Sequence, residues 1–190
     1  MEGPEYTADF ATTRAAVRAA ADACGALFAS APDGGVALPG SDWNVGEVAV
    51  HVAVATEAYI DYARGKTEAF VDVSDIAGGS LATTSAQRLA EEPERDVDAL
   101  VARLDVAASE LLTATAECDG TEMVTWNGHE IPVGSMLGIA LGEYLLHGRD
   151  VAHALGRRQS QWPAVFTGKL AVWGRKPWLG ARLTRYLVAP

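Results

Sequence analysis

Four stretches of this chain repeat apolar residues every three to four positions, and that periodicity constrains the fold more than any other feature. From Phe10 to Phe28 the stripe is Phe10, Ala11, Val17, Ala21, Cys24, Leu27 and Phe28, set in Ala-rich filler of high helix propensity. From Asn44 to Gly65 it runs Val48, His51, Ala55, Tyr59 and Tyr62. From Glu94 to about Cys118 it is Val97, Leu100, Val101, Leu104, Ala108, Leu111 and Leu112. From about Gly134 to Leu155 it is Met136, Ala140, Glu143, His147, Val151 and Ala154. A helix with one apolar stripe must bury that stripe, and four of them bury one another most economically as an all-α four-helix bundle.

The punctuation between the stripes agrees with this reading. Pro32, Gly34, Gly35, Pro39 and Gly40 forbid a helix across residues 31–40. Asn44 and Glu47 have capping-box spacing and should open the second helix, which Gly65 ends. Residues 66–80 read as a mobile connection, followed by a short helix to Glu92. Pro93 is best tolerated in the first turn of the next helix, where its missing N–H does no harm. Met123–Trp126 and His129–Val133 flank Asn127-Gly128 and predict a small β-hairpin before the last bundle helix, which Gly156 should cap. The expected organisation is a bundle over residues 1–158 and a C-terminal helical or coil extension over 159–190, packed on the bundle or on a partner subunit.

Composition narrows the function classes. With 190 residues, 49% of them hydrophobic, the chain fits one globular domain with a real core. A net charge of −10 disfavours nucleic acid as a partner, because neutralising phosphates needs clustered Lys and Arg. No apolar run is long enough to span a bilayer and the first ten residues do not resemble a secretory leader, so the expectation is a soluble, cytoplasmic protein. Cys24 and Cys118 offer neither a disulfide framework nor metal-knuckle spacing. Beyond Asp150 there is no acidic residue, whereas Arg157, Arg158, Lys169, Arg175, Lys176, Arg182 and Arg185 all fall there. A basic tail on an acidic body suits docking onto the bundle or a homodimer contact.

Polar residues on the buried stripes carry the chemistry. Glu143 and His147 are one turn apart on one face, among Met136, Ala140, Val151 and Ala154. A bare carboxylate there is costly unless it is paired or metal-bound. His51 stands likewise on the second helix. Two imidazoles and one carboxylate suit zinc, with nickel or iron as alternatives, and three protein ligands leave coordination positions open for water or substrate. The bland reading has equal weight: a histidine on an apolar stripe is commonly a hydrogen-bonded core residue, and Glu143 with His147 can be an internal ion pair. His129 and His153 are expected to face solvent. Glu47 repeats the Glu-x-x-x-His spacing with His51, but the capping box accounts for it. Asp150 either orients an imidazole or pairs with a neighbouring arginine.

The residues that carry this constellation also carry a family likeness. The segment from Asp42 to His51, reading DWNVGEVAVH, resembles the opening of the second helix in the DinB-like superfamily. The segment from Gly142 to Gly156, GEYLLHGRDVAHALG, resembles the last bundle helix of its mycothiol-dependent maleylpyruvate isomerase branch. The resemblance implies a DinB-like bundle over roughly the first 158 residues, with His51, Glu143 and His147 as ligands of a divalent metal. It further implies mycothiol as thiol co-substrate and a small electrophile as substrate. Two departures accompany it: Ala140 stands where an arginine is expected one turn before the glutamate, and residues 159–190 replace a second domain.

What the resemblance implies is a thiol transferase or isomerase in which a metal-held thiolate attacks the electrophile; Trp43, Trp126 and Tyr144 either line its pocket or simply fill core. The rivals are a metal-dependent hydrolase that uses bound water, a protein that binds or sequesters a ligand without turnover, and a metal-free structural bundle.

Overall fold

The computed structural model describes residues 9–68 and 80–157. The extension expected over 159–190 and most of the connection before the short helix lie outside the described residues. Within them the order is α1 (Phe10–Ala29), α2 (Val45–Ala63), α3 (Ser80–Glu91), α4 (Val97–Ala114), β1 (Met123–Trp126), β2 (His129–Pro132) and α5 (Val133–Ala154). No helix among the described residues is long and apolar enough to cross a membrane.

Helices α1, α2, α4 and α5 form the four-helix bundle. Each helix packs on two others: α1 lies against α4 and α5, and α2 lies against the same pair, so α1 and α2 are diagonal. The core they enclose is built from Val17, Phe28, Leu100, Leu104, Leu111, Met136 and Leu137, all at most 1% exposed. The apolar stripes predict most of it. Ala11 is the exception: it faces solvent, and Thr13 and Ala20 take the buried positions. Cys24 is fully buried, and desolvation pushes its thiol far above the ordinary range, so it behaves as a small hydrophobe.

Helix starts follow side-chain caps. Asp9 accepts from Thr12 N at 2.7 Å to open α1. At α2 the capping box is complete: Asn44 Oδ1 accepts from Glu47 N at 2.9 Å and Glu47 Oε2 accepts from Asn44 N at 2.8 Å. Glu47 is thereby committed to the cap, as its spacing predicts. The start of α4 differs from expectation. It begins at Val97 rather than Glu94, because Glu94 Oε1 accepts from the backbone N–H groups of Arg95 and Asp96, holding a turn, while Asp96 caps Ala99 N at 2.8 Å. Pro93 therefore precedes the helix instead of opening it.

The hairpin is as predicted. Met123 pairs with Pro132 and Trp126 with His129 in antiparallel register, and Asn127 (φ 47°) and Gly128 (φ 79°) have the two positive φ angles of a type I′ turn. Asn127 is also pinned to the bundle, its Oδ1 accepting from the Tyr62 hydroxyl at 2.6 Å. Residues 115–132 thus carry the chain from α4 to α5, and residues 30–44 carry it from α1 to the diagonal α2. The second crossing is fastened to the start of α2: Val36 O accepts from Val45 N at 2.9 Å and Gly34 O from Gly46 N at 2.8 Å. A Cβ at Gly46 would stand 3.3 Å from Gly34 O, so glycine suits this approach.

Candidate metal centre

The crossing loop sets one wall of a site between α2 and α5. Leu38 N donates to Trp43 O at 3.0 Å and Trp43 N donates to Ser41 Oγ at 3.1 Å, which holds the indole just ahead of α2. Its ring centroid lies 5.1 Å from that of His51 and 6.5 Å from that of His147, nearly parallel to the latter at 27°. The two imidazoles meet edge-on, 4.9 Å apart and at 73°. Three aromatic rings from three parts of the chain are therefore gathered at one place.

One carboxylate, Glu143, lies with them. His51 Nε2 lies 3.4 Å from Glu143 Oε2, and His147 Nε2 lies 3.2 Å from the same oxygen. One donor atom from each of the three residues lies within 4.8 Å of the others, and this is the one His/Cys/Asp/Glu cluster among the described residues with such convergence. Both histidine side chains are 15% exposed and Glu143 is 29% exposed, so the cluster is largely sunk in the bundle.

Electrostatics keep the carboxylate charged. Burial alone would raise the Glu143 pKa, but the hydrogen-bonding contacts and charge of His147 and His51 outweigh it and hold the group well below the usual carboxylate range. Tyr59, buried one helix away, feels this: desolvation first, and then the Glu143 charge, push its phenol well above its ordinary value. Sequence reasoning placed Tyr59 only among stripe residues. The available signal was a phenol hydroxyl on a core stripe, which needs a polar neighbour.

The remaining candidates fall in different places. Trp126 ends β1 and packs against the hydrophobic core. Tyr144, a candidate for pocket wall or core, is 1% exposed and fills core, and its hydroxyl lies 3.0 Å from Thr56 Oγ1, which itself donates to Val52 O at 2.7 Å. Tyr144 follows Glu143 directly, so the helix turns it about 100° away into the core. Asp150 pairs loosely with Arg149 at 3.4 Å, both more than 40% exposed, which favours the surface-pair reading. His129 and His153 are exposed, as expected. Ala140 is fully buried, at a point where a guanidinium would need a partner.

The family profile described as mycothiol maleylpyruvate isomerase N-terminal domain matches residues 13–152. The chain belongs to this family. The match takes in all three clustered residues and stops just short of Gly156. Among solved structures, the fold is similar to "Crystal structure of the mycothiol-dependent maleylpyruvate isomerase", with a TM-score of 0.56 and 15% identity. That likeness covers 84% of this chain but only 66% of the isomerase, and at this identity it establishes the DinB-like fold alone. No curated protein matches the chain.

Proposed function

We propose that this chain is the metal-binding domain of a mycothiol-dependent enzyme, with His51, Glu143 and His147 as ligands of a divalent metal, zinc first and nickel or iron as alternatives. One geometric observation carries the reading. Metal–donor bonds of about 2.0–2.1 Å in a tetrahedral site separate neighbouring donors by roughly 3.3 Å, and the two Nε2···Oε2 separations are 3.4 and 3.2 Å. A set of three protein donors fits a catalytic rather than a closed four-ligand structural site.

A divalent metal held there would supply the positive charge that keeps a thiol ionised near neutral pH. The chain's own residues do the rest. His51 and His147 would offer Nε2 from two different helices, and Glu143 would contribute the negative charge. Trp43 stands beside both imidazoles, its ring centroid 5.1 and 6.5 Å from theirs. The reaction supported is thiol-dependent isomerisation or transfer on a small electrophile, with mycothiol as co-substrate by family membership.

Elemental analysis of protein purified without chelator tests the ligand set. About one equivalent of metal is expected in the wild type and a value near zero in a His51→Ala, His147→Ala double variant. Equal metal in both, or none in either, ends the metal reading. Incubation of metal-loaded protein with mycothiol and a panel of electrophiles then tests the chemistry. Hydrolysis without any thiol requirement would replace this reading with the hydrolase.

A further inference from the structure

The ligand set leaves a phenol unused behind it. His51, Ala55 and Tyr59 follow at steps of four residues and so lie along one face of α2. Ala55 and Tyr59 are both buried, so that face stays in the core beyond the cluster. Side chains of an α-helix tilt toward its N-terminus, which carries the Tyr59 ring back over Ala55 toward the turn of His51. The small side chain at Ala55 takes up little of that path.

Helix α5 runs antiparallel beside α2. The His51 ring lies 4.9 Å from that of His147, whereas Tyr62, about three turns further along α2, donates to Asn127, ahead of the start of α5, at 2.6 Å. Tyr59 therefore comes to Glu143 from the side opposite His147. One turn earlier on that side α5 places Ala140, a fully buried methyl that offers no donor. Both imidazoles address Oε2, and an ionised carboxylate, with about four lone-pair sites, keeps acceptor capacity for another donor. The phenol answers to that carboxylate. Burial first, then the Glu143 charge and the neighbouring Tyr144 and Tyr62, and last a hydrogen-bonding contribution from Glu143 keep its proton in place. A protonated phenol beside an ionised carboxylate donates.

We propose that Tyr59 is the positioning residue of Glu143: its hydroxyl donates to the carboxylate from the core side and holds Oε2 turned toward His51 and His147. This role rests on the proposed function and deepens it, because a ligating carboxylate needs a hydrogen-bond partner of its own to fix its orientation. The three donors then stand assembled by the fold, and less ordering is left when a metal binds. Tyr59 acts through Glu143 and not as a ligand.

Zinc affinity of the full chain, measured by competition with a chromophoric chelator, tests this. Tyr59→Phe removes the hydroxyl and keeps the ring, so the core stays filled. Its affinity should fall about 10–100-fold, while Tyr62→Phe, which removes a buried hydroxyl bonded to Asn127 instead, should bind zinc as the wild type does. In a Glu143→Ala background the Tyr59→Phe change should alter affinity by no more than about twofold, because the hydroxyl then has no carboxylate to orient. Cobalt-loaded protein gives a second readout. Its visible d–d bands, which report ligand geometry, should differ from wild type in Tyr59→Phe and match it in Tyr62→Phe. Wild-type affinity and bands in Tyr59→Phe, an equal loss in Tyr62→Phe, or an undiminished loss in the Glu143→Ala background overturns the positioning role and leaves the ligand set intact. Failure of the wild type to bind zinc or cobalt overturns the ligand set and this role with it.

Discussion

Replacing Glu143 by glutamine removes one charge from the centre of the cluster while keeping its shape. In the present geometry the carboxylate stands 3.4 and 3.2 Å from two imidazole nitrogens, and its side chain is 29% exposed. Losing a hydrogen-bonded partner of a ligand weakens metal binding about 10–100-fold, and losing a ligand itself should cost at least the upper end. A loss of ~3 kcal/mol in metal binding corresponds to an affinity about a hundredfold weaker. At a zinc concentration one hundred times the wild-type Kd, ligand linkage stabilises the wild type by about 2.7 kcal/mol. A hundredfold weaker variant retains only about 0.4 kcal/mol at the same concentration. The difference, ~2.3 kcal/mol, corresponds to roughly 5–9 °C in Tm for a chain of this size. Paired thermal melts with zinc and with chelator therefore read the effect directly. The wild type should gain those degrees on zinc addition and Glu143→Gln should gain almost none. An equal zinc-induced shift in both proteins would refute the assignment of Glu143 as a ligand.

Three further outcomes follow from the same geometry. In metal-free protein the depressed Glu143 pKa contributes stability that is complete above the unfolded carboxylate value of about 4.5 and is lost as pH falls below it; urea melts between pH 6 and 3 should show wild type losing more stability than Glu143→Gln, and parallel losses would show that the folded pKa is not lowered. Tyr144→Phe should destabilise by about 1 kcal/mol, because only its contact with Thr56 is lost and Thr56 still donates to Val52 O; denaturant midpoints measure this, and a loss of mycothiol binding without a stability change would instead return Tyr144 to the pocket. Metal addition should quench or shift the Trp43 emission, since its indole stands 5.1 Å from the His51 ring; a metal-induced change that is undiminished in Trp43→Phe would mean that another tryptophan reports the event.

The way the chain crosses the bundle explains why the site needed more than pattern reading. Glu143 and His147 are neighbours on any helix, and their shared face followed from a spacing of four residues. His51 is 92 residues from Glu143, and nothing local brings them together. Their meeting depends on α2 packing beside α5 and diagonal to α1, an arrangement imposed by the crossing loop at residues 30–44 and the hairpin-bearing crossing at 115–132. The same packing turned Tyr144 into the core and set Tyr59 against Glu143. The shift in the start of α4 had another origin: competing side-chain bonds from Glu94 and Asp96, which apolar periodicity does not register.

By itself the sequence determined the local elements. Apolar periodicity set the helices, Asn44 with Glu47 the entry to α2, and Asn127-Gly128 the hairpin turn, because each depends on interactions within a few residues. It also carried the family likeness that bound three distant residues into one expectation. The tertiary structure alone decided the mutual rotation of α2 and α5, the 3.2–3.4 Å convergence on one carboxylate oxygen and the Trp43 wall. Those features depend on which helix lies beside which, and that choice is made by burial of apolar surface over the whole core rather than by any short segment.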